Sequence, residues 1–320
     1  MGELSILGDH LEARTPYHSG LVAAFRAAGG RWDPGARVWR FPLHRVSRLS
    51  AALKENNLDS LLGDGLKRAQ ELWETRRAEG FTAIEEAPLL TPEQRKDART
   101  AFTALLQALE EGGPRGFLLA NGTGTGKTYV YAGFLRAVEA LGLPALLVVP
   151  NEDLARQTRE VLSAVGTSPE LATYGTLDPE RARGRVLVLD EAHLAKRAFR
   201  SERGKRAWRA VERSLFALYA TATPFDRPWE SEYLLVPSEA LEAWDEGEFE
   251  DFMARFKVYS REGFGGGREW YFAGGPEDLA AFHDHLKTRG FMTRRLYVPP
   301  DGLVEHEVPF VEVPREEKEL

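Results

Sequence analysis

Phe117-Leu118-Leu119-Ala120-Asn121-Gly122-Thr123-Gly124-Thr125-Gly126-Lys127-Thr128 is the stretch from which the rest of the chain can be read. Its first four residues are an apolar run, as expected of a parallel strand buried on both faces. The glycines follow at once. Gly122, Gly124 and Gly126 allow backbone conformations that a side chain would forbid, so successive N–H groups can turn toward one anion. Lys127 then reaches the β- and γ-phosphates of a bound nucleotide, and the Thr128 hydroxyl can ligate Mg²⁺. Residues 128–140 have helical spacing, with Val130, Phe134, Leu135 and Val138 apolar. The N-terminus of that helix would point at the phosphates. The strict pattern has glycine where this chain has Asn121, but the Gly-x-Gly-Lys-Thr core is intact.

A second constellation lies downstream. Val186-Leu187-Val188-Leu189 runs into Asp190-Glu191-Ala192-His193. Asp190 stands at the carboxyl end of an apolar strand, where open α/β sheets hold their ligands. It is the expected Mg²⁺ partner, and Glu191 the residue that orients or deprotonates the attacking water. With Lys127, these carboxylates form the expected catalytic set. His193 is read either as a coupling residue between nucleotide and machine or as a hydrogen-bonded structural histidine.

In this order the two constellations resemble motifs I and II of superfamily 2 helicases and translocases of the DEAH type. Other segments resemble further motifs of that superfamily. Leu90-Thr91-Pro92-Glu93-Gln94 is similar to the glutamine motif, which implies that Gln94 reads the adenine edge. Leu146-Leu147-Val148-Val149-Pro150-Asn151 is similar to motif Ia, and Ala172-Thr173-Tyr174-Gly175-Thr176-Leu177 to the next backbone-contacting motif. Pro150, Asn151 and Thr176 are thereby implied on the nucleic-acid side. Ala220-Thr221-Ala222-Thr223-Pro224 resembles motif III, which implies that Thr221 and Thr223 couple hydrolysis to movement. The cofactor-binding set is then Gln94, Gly122, Thr123, Gly124, Thr125, Gly126, Lys127 and Thr128, with Thr128 and Asp190 on the metal. The resemblance implies a RecA-like ATP-binding lobe, ATP and Mg²⁺ as cofactors, and DNA (single-stranded, duplex or forked) as partner.

Two narrower resemblances accompany it. The loop, together with Asp278, Leu286-Lys287-Thr288-Arg289-Gly290 and Arg294-Arg295-Leu296, is similar to superfamily 2 proteins of the strawberry-notch type, although that type often has glycine where this chain has Thr128. Residues 14–53, through Gly30-Arg31-Trp32-Asp33 and Trp39-Arg40-Phe41-Pro42-Leu43, resemble the HARP module that precedes the motor of some annealing helicases.

Composition bounds these readings. The chain has 320 residues with 43% hydrophobic content, enough for two or three domains. A net charge of −7 provides no global attraction for nucleic acid, so such contacts must be local. With no cysteine, disulfides, thiolate metal sites and a cysteine nucleophile are excluded. No apolar run approaches the roughly 20 residues that span a bilayer, and no signal peptide is legible. The expectation is a cytoplasmic protein of a bacterial or virus-infected bacterial cell.

Four segments are expected, of overall class α/β. Residues 1–58 form a small α+β module with helices over 18–28 and 44–53 and two short strands around a type II turn at Asp33-Pro34-Gly35-Ala36. Up to residue 53 it carries seven arginines against Glu3, Asp9, Glu12 and Asp33. Strand alternation places Arg37, Trp39 and Phe41 on one face and Val38 and Arg40 on the other. That surface is open to two readings: Arg31, Arg37 and Arg40 on phosphate with an aromatic stacked on a base, or Trp39 and Phe41 as the core of a small domain. Residues 59–88 form a connecting helix with a Leu62, Leu66, Ala69, Leu72, Trp73 stripe. Residues 89–225 alternate helix and strand, which predicts a parallel sheet with helices on both faces and the runs 117–120, 145–149, 186–189 and 215–219 as central strands. Residues 226–320 form an accessory region, with a loop at Gly263-Phe264-Gly265-Gly266-Gly267, a helix over 276–289 and strands over 291–298 and 305–313. Its aromatics, Trp229, Tyr233, Trp244, Phe249, Phe252, Phe256 and Trp270, read as core rather than as a base-stacking platform, the alternative they leave open.

The leading functional expectation is an ATP-dependent DNA helicase or translocase acting on forked or branched DNA. A phosphate-loop NTPase without a nucleic-acid role, and a DNA-binding module switched by nucleotide, stay open beside it. No Gln-x-x-Gly-Arg run of a second lobe is present, and an arginine finger is worth roughly 10³–10⁵ in rate. The chain alone is therefore expected to hydrolyse ATP weakly. Supplying a second RecA-like lobe should restore DNA-stimulated turnover; helicase-like rates from the 320 residues alone would refute that expectation.

Overall fold

The computed structural model of the chain describes residues 2–196, 201–225, 227–234, 246–263 and 268–295. The elements run β1 (Glu3–Leu7), β2 (His10–Arg14), α1 (Ser19–Ala27), β3 (Arg31–Asp33), β4 (Val38–Pro42), α2 (Val46–Glu55), α3 (Gly63–Glu85), α4 (Pro92–Glu110), β5 (Gly116–Leu119), α5 (Lys127–Ala140), β6 (Ala145–Val149), α6 (Glu152–Val165), β7 (Glu170–Thr173), β8 (Val186–Asp190), α7 (Glu202–Arg213), β9 (Phe216–Ala220), α8 (Glu246–Ala254), β10 (Val258–Glu262), β11 (Arg268–Phe272), α9 (Pro276–Thr288) and β12 (Met292–Thr293).

Six strands form one sheet in the order β12-β5-β9-β8-β6-β7, every neighbouring pair parallel. The expected α/β class with helices on both faces is what is found. Because successive side chains point to opposite faces, each strand feeds two cores. Val186 and Val188 of β8 join one cluster with Phe102 of α4 and Phe134 of α5. Leu187 and Leu189 join the other, with Trp208 of α7, Phe252 of α8 and Phe282 of α9. Hence the strands read as continuous apolar runs rather than alternating ones. Of the accessory-region aromatics read as core, Trp229, Tyr233, Phe249, Phe252, Phe256 and Trp270 pack in or against this second core, while Tyr259 and Tyr271 are exposed. Trp244, the loop at 264–267, and the strands expected beyond residue 295 lie outside the described residues.

The N-terminal module is an antiparallel sheet, β1-β2-β4-β3, with α1 and α2. Leu11, Phe25, Trp39 and Phe41 form its core, which continues through Ala69 and Trp73 of α3 into the first face of the large sheet. Two expectations fail in the β3–β4 hairpin. Gly35 does not take positive φ, so the turn is not type II; Asp33 Oδ1 accepts instead from the N–H groups of Gly35 and Ala36 (2.9 and 3.1 Å). The left-handed residue is Arg37, at φ 55°. Arg37 therefore lies in the turn and shares no strand face with Trp39 and Phe41, which are both buried, as is Val38. Strands β1 and β2 were not anticipated.

Arginines also hold the helices together. Arg48 of α2 donates to the carbonyls of Ala108 and Glu110 at the end of α4 (3.2 and 3.1 Å). Arg76 of α3 donates to Leu141 O (3.2 Å), and Arg136 of α5 to Val165 O (3.2 Å). Each cation meets carbonyls that a helix C-terminus leaves unpaired, at the negative end of the dipole.

One glycine reports how tightly α3 and α4 meet. A Cβ on Gly80 would lie 2.3 Å from Cζ of buried Phe102. Alanine normally stabilises a helix interior over glycine by about 1 kcal/mol, whereas overpacking costs about 1–3 kcal/mol. Gly80→Ala is expected to lower the thermal midpoint by a few degrees; a raised midpoint would show that the helices do not meet this closely.

Candidate nucleotide site

The polar side chains of interest collect at the carboxyl ends of β5, β8 and β9. After β5 the chain turns through Asn121 and the glycines into α5. Gly124 and Gly126 take left-handed φ values of 79° and 75°. Gly122 does not, so its role differs from the one expected. Its carbonyl accepts from Thr125 Oγ1 (2.8 Å) and Lys127 Nζ (3.3 Å), and its N–H donates to Arg295 O (2.7 Å). Lys127 and Thr128 open α5, so their amides lie in the first helical turn, where N–H groups lack intrahelical partners. Thr123 and Gly124 are exposed at the tip and Thr125 is buried.

Lys127 also donates to Asn121 O (3.2 Å). Burial lowers its pKa, opposed by the negative charges of Glu191 and Asp190. The lysine therefore stands within electrostatic reach of both carboxylates. Burial raises Asp190 to about 6, with Glu191 adding to the rise and Lys127 working against it. Tyr131 of α5 donates to Asp190 Oδ2 (3.4 Å), and Tyr174 donates to Asp190 O (2.9 Å). Neither tyrosine was singled out for this site from sequence; both look like ordinary core aromatics until the fold brings them to β8.

Glu191 follows in the left-handed region at φ 48°. A non-glycine residue there carries strain that the surroundings must hold. The short 3-10 turn Ala192–Ala195 comes next. It directs His193 Nδ1 to 3.0 Å from Thr221 Oγ1 and 3.2 Å from Glu191 Oε2. Thr221 is fully buried and its Oγ1 also accepts from Thr223 N (3.2 Å). His193, Thr221 and the Thr223 backbone thus form a hydrogen-bonded link between the turn after β8 and the end of β9, with the Glu191 carboxylate beside the imidazole. The Thr223 side chain is exposed.

Gln94 touches the loop from α4. Its Oε1 accepts from Thr91 N (2.9 Å) in a capping box, and its Nε2 donates to Thr125 O (3.2 Å). Both ends of the amide are thereby engaged within the chain. Gln94 Nε2 also lies where a Cβ on Gly126 would fall, at 2.3 Å.

The residues expected on nucleic acid divide into two groups on different sheets. Pro150, Asn151 and Thr176 lie just past β6 and β7, joined by Tyr174 N donating to Val149 O (3.1 Å). Asn151 Oδ1 caps α6 through Leu154 N (3.0 Å), and Thr176 Oγ1 accepts from Thr173 N (3.1 Å). Arg31, Arg37 and Arg40 are exposed on the N-terminal hairpin. Arg40 bridges Glu12 and Asp33, both at 2.8 Å, so its charge is met within the sheet. The aromatic left accessible beside these arginines is Trp32, at 48% exposure and 5.7 Å from the Trp39 ring. Trp32 pairs with Trp39 across the hairpin, on the same face, and is left half-exposed because β3 is the edge strand, which no local pattern in the sequence indicates.

The donor set suits magnesium: the Asp190 carboxylate and the Thr128 hydroxyl are hard oxygen ligands. Among the described residues, no three histidine, aspartate or glutamate side chains cluster to hold a metal unaided. Mg²⁺ is normally held through one or two carboxylates plus substrate phosphates, which fits this arrangement.

Residues 91–182 match the family model described as type III restriction enzyme, res subunit. That segment, from the Thr91 capping box past the phosphate loop to β7, is similar to the nucleotide-binding domain of superfamily 2 helicase-type ATPases. The match ends before Asp190, so the second constellation rests on its geometry. No characterised protein sequence matches the chain. No helix among the described residues is long and apolar enough to cross a membrane.

The Asp190 shift has a measurable consequence without nucleotide or metal. The carboxyl titrates at about 6 in the folded protein against 3.8 for the free group. Folding takes up a proton between these values, so stability from the neutral form is full below about pH 4 and is lost as pH rises to about 6. Asp190→Asn stays neutral throughout. It should be more stable than the parent at pH 8 by on the order of 1–2 kcal/mol, discounted for partial exposure, and indistinguishable from it near pH 4. Equal thermal midpoints at pH 8 would mean that Asp190 is not desolvated.

Proposed function

We propose that this chain carries the ATP-binding lobe of a superfamily 2 DNA helicase or translocase. The observation that carries the reading is the convergence at one carboxyl edge of Lys127, held by the loop carbonyls of Asn121 and Gly122, with Asp190 at the end of β8 and Glu191 after it, within electrostatic reach of the lysine, beside the first-turn amides of α5. In this reading the loop amides and Lys127 bind the β- and γ-phosphates, Thr128 and Asp190 hold Mg²⁺, and Glu191 orients water. Bound Mg²⁺ supplies charge neutralisation of the phosphates. The His193–Thr221 contact, beside Glu191, links the hydrolytic end to the segment that resembles motif III. Gln94 senses the loop through Thr125 O and so ties α4 to nucleotide occupancy.

DNA is proposed to run over the edge formed by Pro150, Asn151 and Thr176, with the N-terminal hairpin as a second contact through Arg31 and Arg37. Action at forked or branched DNA follows from that second contact and from the resemblance to the HARP module. The similarity of residues 91–182 to a restriction-enzyme motor subunit supports a DNA substrate.

Hydrolysis of ATP should be measured alone and with single-stranded, duplex and forked DNA. Stimulation by DNA is expected. Lys127→Ala should abolish hydrolysis while changing DNA affinity less than about twofold, since phosphate-backbone and nucleotide contacts lie on separate residues. Hydrolysis indifferent to every DNA would favour an NTPase with no nucleic-acid role, and retained turnover in Lys127→Ala would refute the site.

A further inference from the structure

Asn121 stands where glycine is usual in a phosphate loop, and its surroundings show what the substitution does. Its side chain is fully buried. Nδ2 donates to Asp97 Oδ2 of α4 (2.6 Å), and Oδ1 accepts from Arg295 N (2.7 Å). Arg295 follows β12 at the sheet edge, and its guanidinium returns to the same Asp97 oxygen, with Nη2 at 3.0 Å and Nε at 3.3 Å. Its carbonyl accepts from Gly122 N (2.7 Å). Arg295 therefore holds the start of the loop by its N–H, its C=O and its side chain. Asn121 O and Gly122 O are in turn the two carbonyls on which Lys127 Nζ rests.

We propose that Arg295 is a positioning residue of the nucleotide site. The Asn121–Asp97–Arg295 cluster clamps the start of the phosphate loop to the strand after α9, so loop shape and lysine placement answer to where that strand lies. Charge-assisted and buried hydrogen bonds are the strong ones, and glycine at 121 would supply none of them. The sheet edge then acts as a second handle on nucleotide affinity, distinct from the carboxylates that act on the metal and water. The inference rests on the nucleotide-binding reading above.

The test uses the full chain, Mg²⁺ and a fluorescent ATP analogue, with binding, thermal midpoint and amide exchange of residues 120–128 read for Arg295→Ala, Arg295→Lys, Asn121→Gly and the double variant Asn121→Gly/Arg295→Ala. Arg295→Ala and Asn121→Gly should each weaken binding about 5–10-fold, because a charged or buried hydrogen bond is lost. The double variant should be no weaker than either single one, since both break one clamp. Arg295→Lys, which keeps one donor to Asp97, should fall between Arg295→Ala and the parent. Additive losses, or lower thermal midpoints with unchanged affinity, overturn the clamp. If the parent binds no analogue, or Lys127→Ala binds as well as the parent, the nucleotide reading itself has failed. The exchange data then decide the clamp alone: faster exchange at 120–128 in Arg295→Ala upholds it, and unchanged exchange overturns it.

Discussion

A sheet covered on both faces leaves charged side chains little room except at its strand ends, and that restriction organises this molecule. Charges along β5, β6, β8 and β9 would be stranded among apolar neighbours, because burying an unpaired charge costs several kcal/mol or more. The strands are accordingly apolar until their last residue. Polar chemistry begins where they stop: at Asn121 after β5, at Asp190 closing β8, and at Thr221 after β9. Parallel strand direction then brings all three ends to one edge. With β9 seated between β5 and β8, the phosphate loop and the carboxylates sit two strands apart, close enough for Lys127 and Asp190 to influence each other's ionisation.

Ionisation at that edge is poised against burial. Asp190 is pushed toward its neutral form and Lys127 toward its own, each by loss of water, and each charge partly rescues the other. The strained backbone at Glu191 is held between Asp190 and the 3-10 turn that carries His193. A phosphate and a divalent ion would balance the charges that these groups leave partly unmet, which is the physical basis of the nucleotide site proposed above.

The arginines divide into those that hold the fold and those left to meet a partner. Arg48, Arg76 and Arg136 terminate helices across element boundaries, and Arg40 is neutralised by Glu12 and Asp33. These side chains knit the N-terminal module, α3 and the large sheet around one continuous core. An excess of positive charge over residues 1–53 thus overstates the surface offered to phosphate. Arg31 and Arg37, with half-exposed Trp32 nearby, are what the hairpin presents to solvent.

The parallel sheet, the order of its helices, the glycine loop and the carboxylates at the end of β8 were all legible in the residues, because each is written in a local pattern: an apolar run, a helical stripe, glycines before a lysine. What remained hidden depended on partners far along the chain. The hairpin's left-handed residue is Arg37 rather than Gly35, since the Asp33 side chain captures two turn amides and shifts the bend by two positions. Strands β1 and β2 are short, and only their pairing with each other and with β4 makes them strands. Asn121 looked like a flaw in the loop, yet its Arg295 partner is 174 residues away. Sequence by itself determined which segments could be buried and where an anion could be cradled, for those follow from side-chain polarity and backbone freedom over a few residues. Tertiary structure alone decided which buried polar atoms would meet, because that depends on how separate elements pack into one sheet.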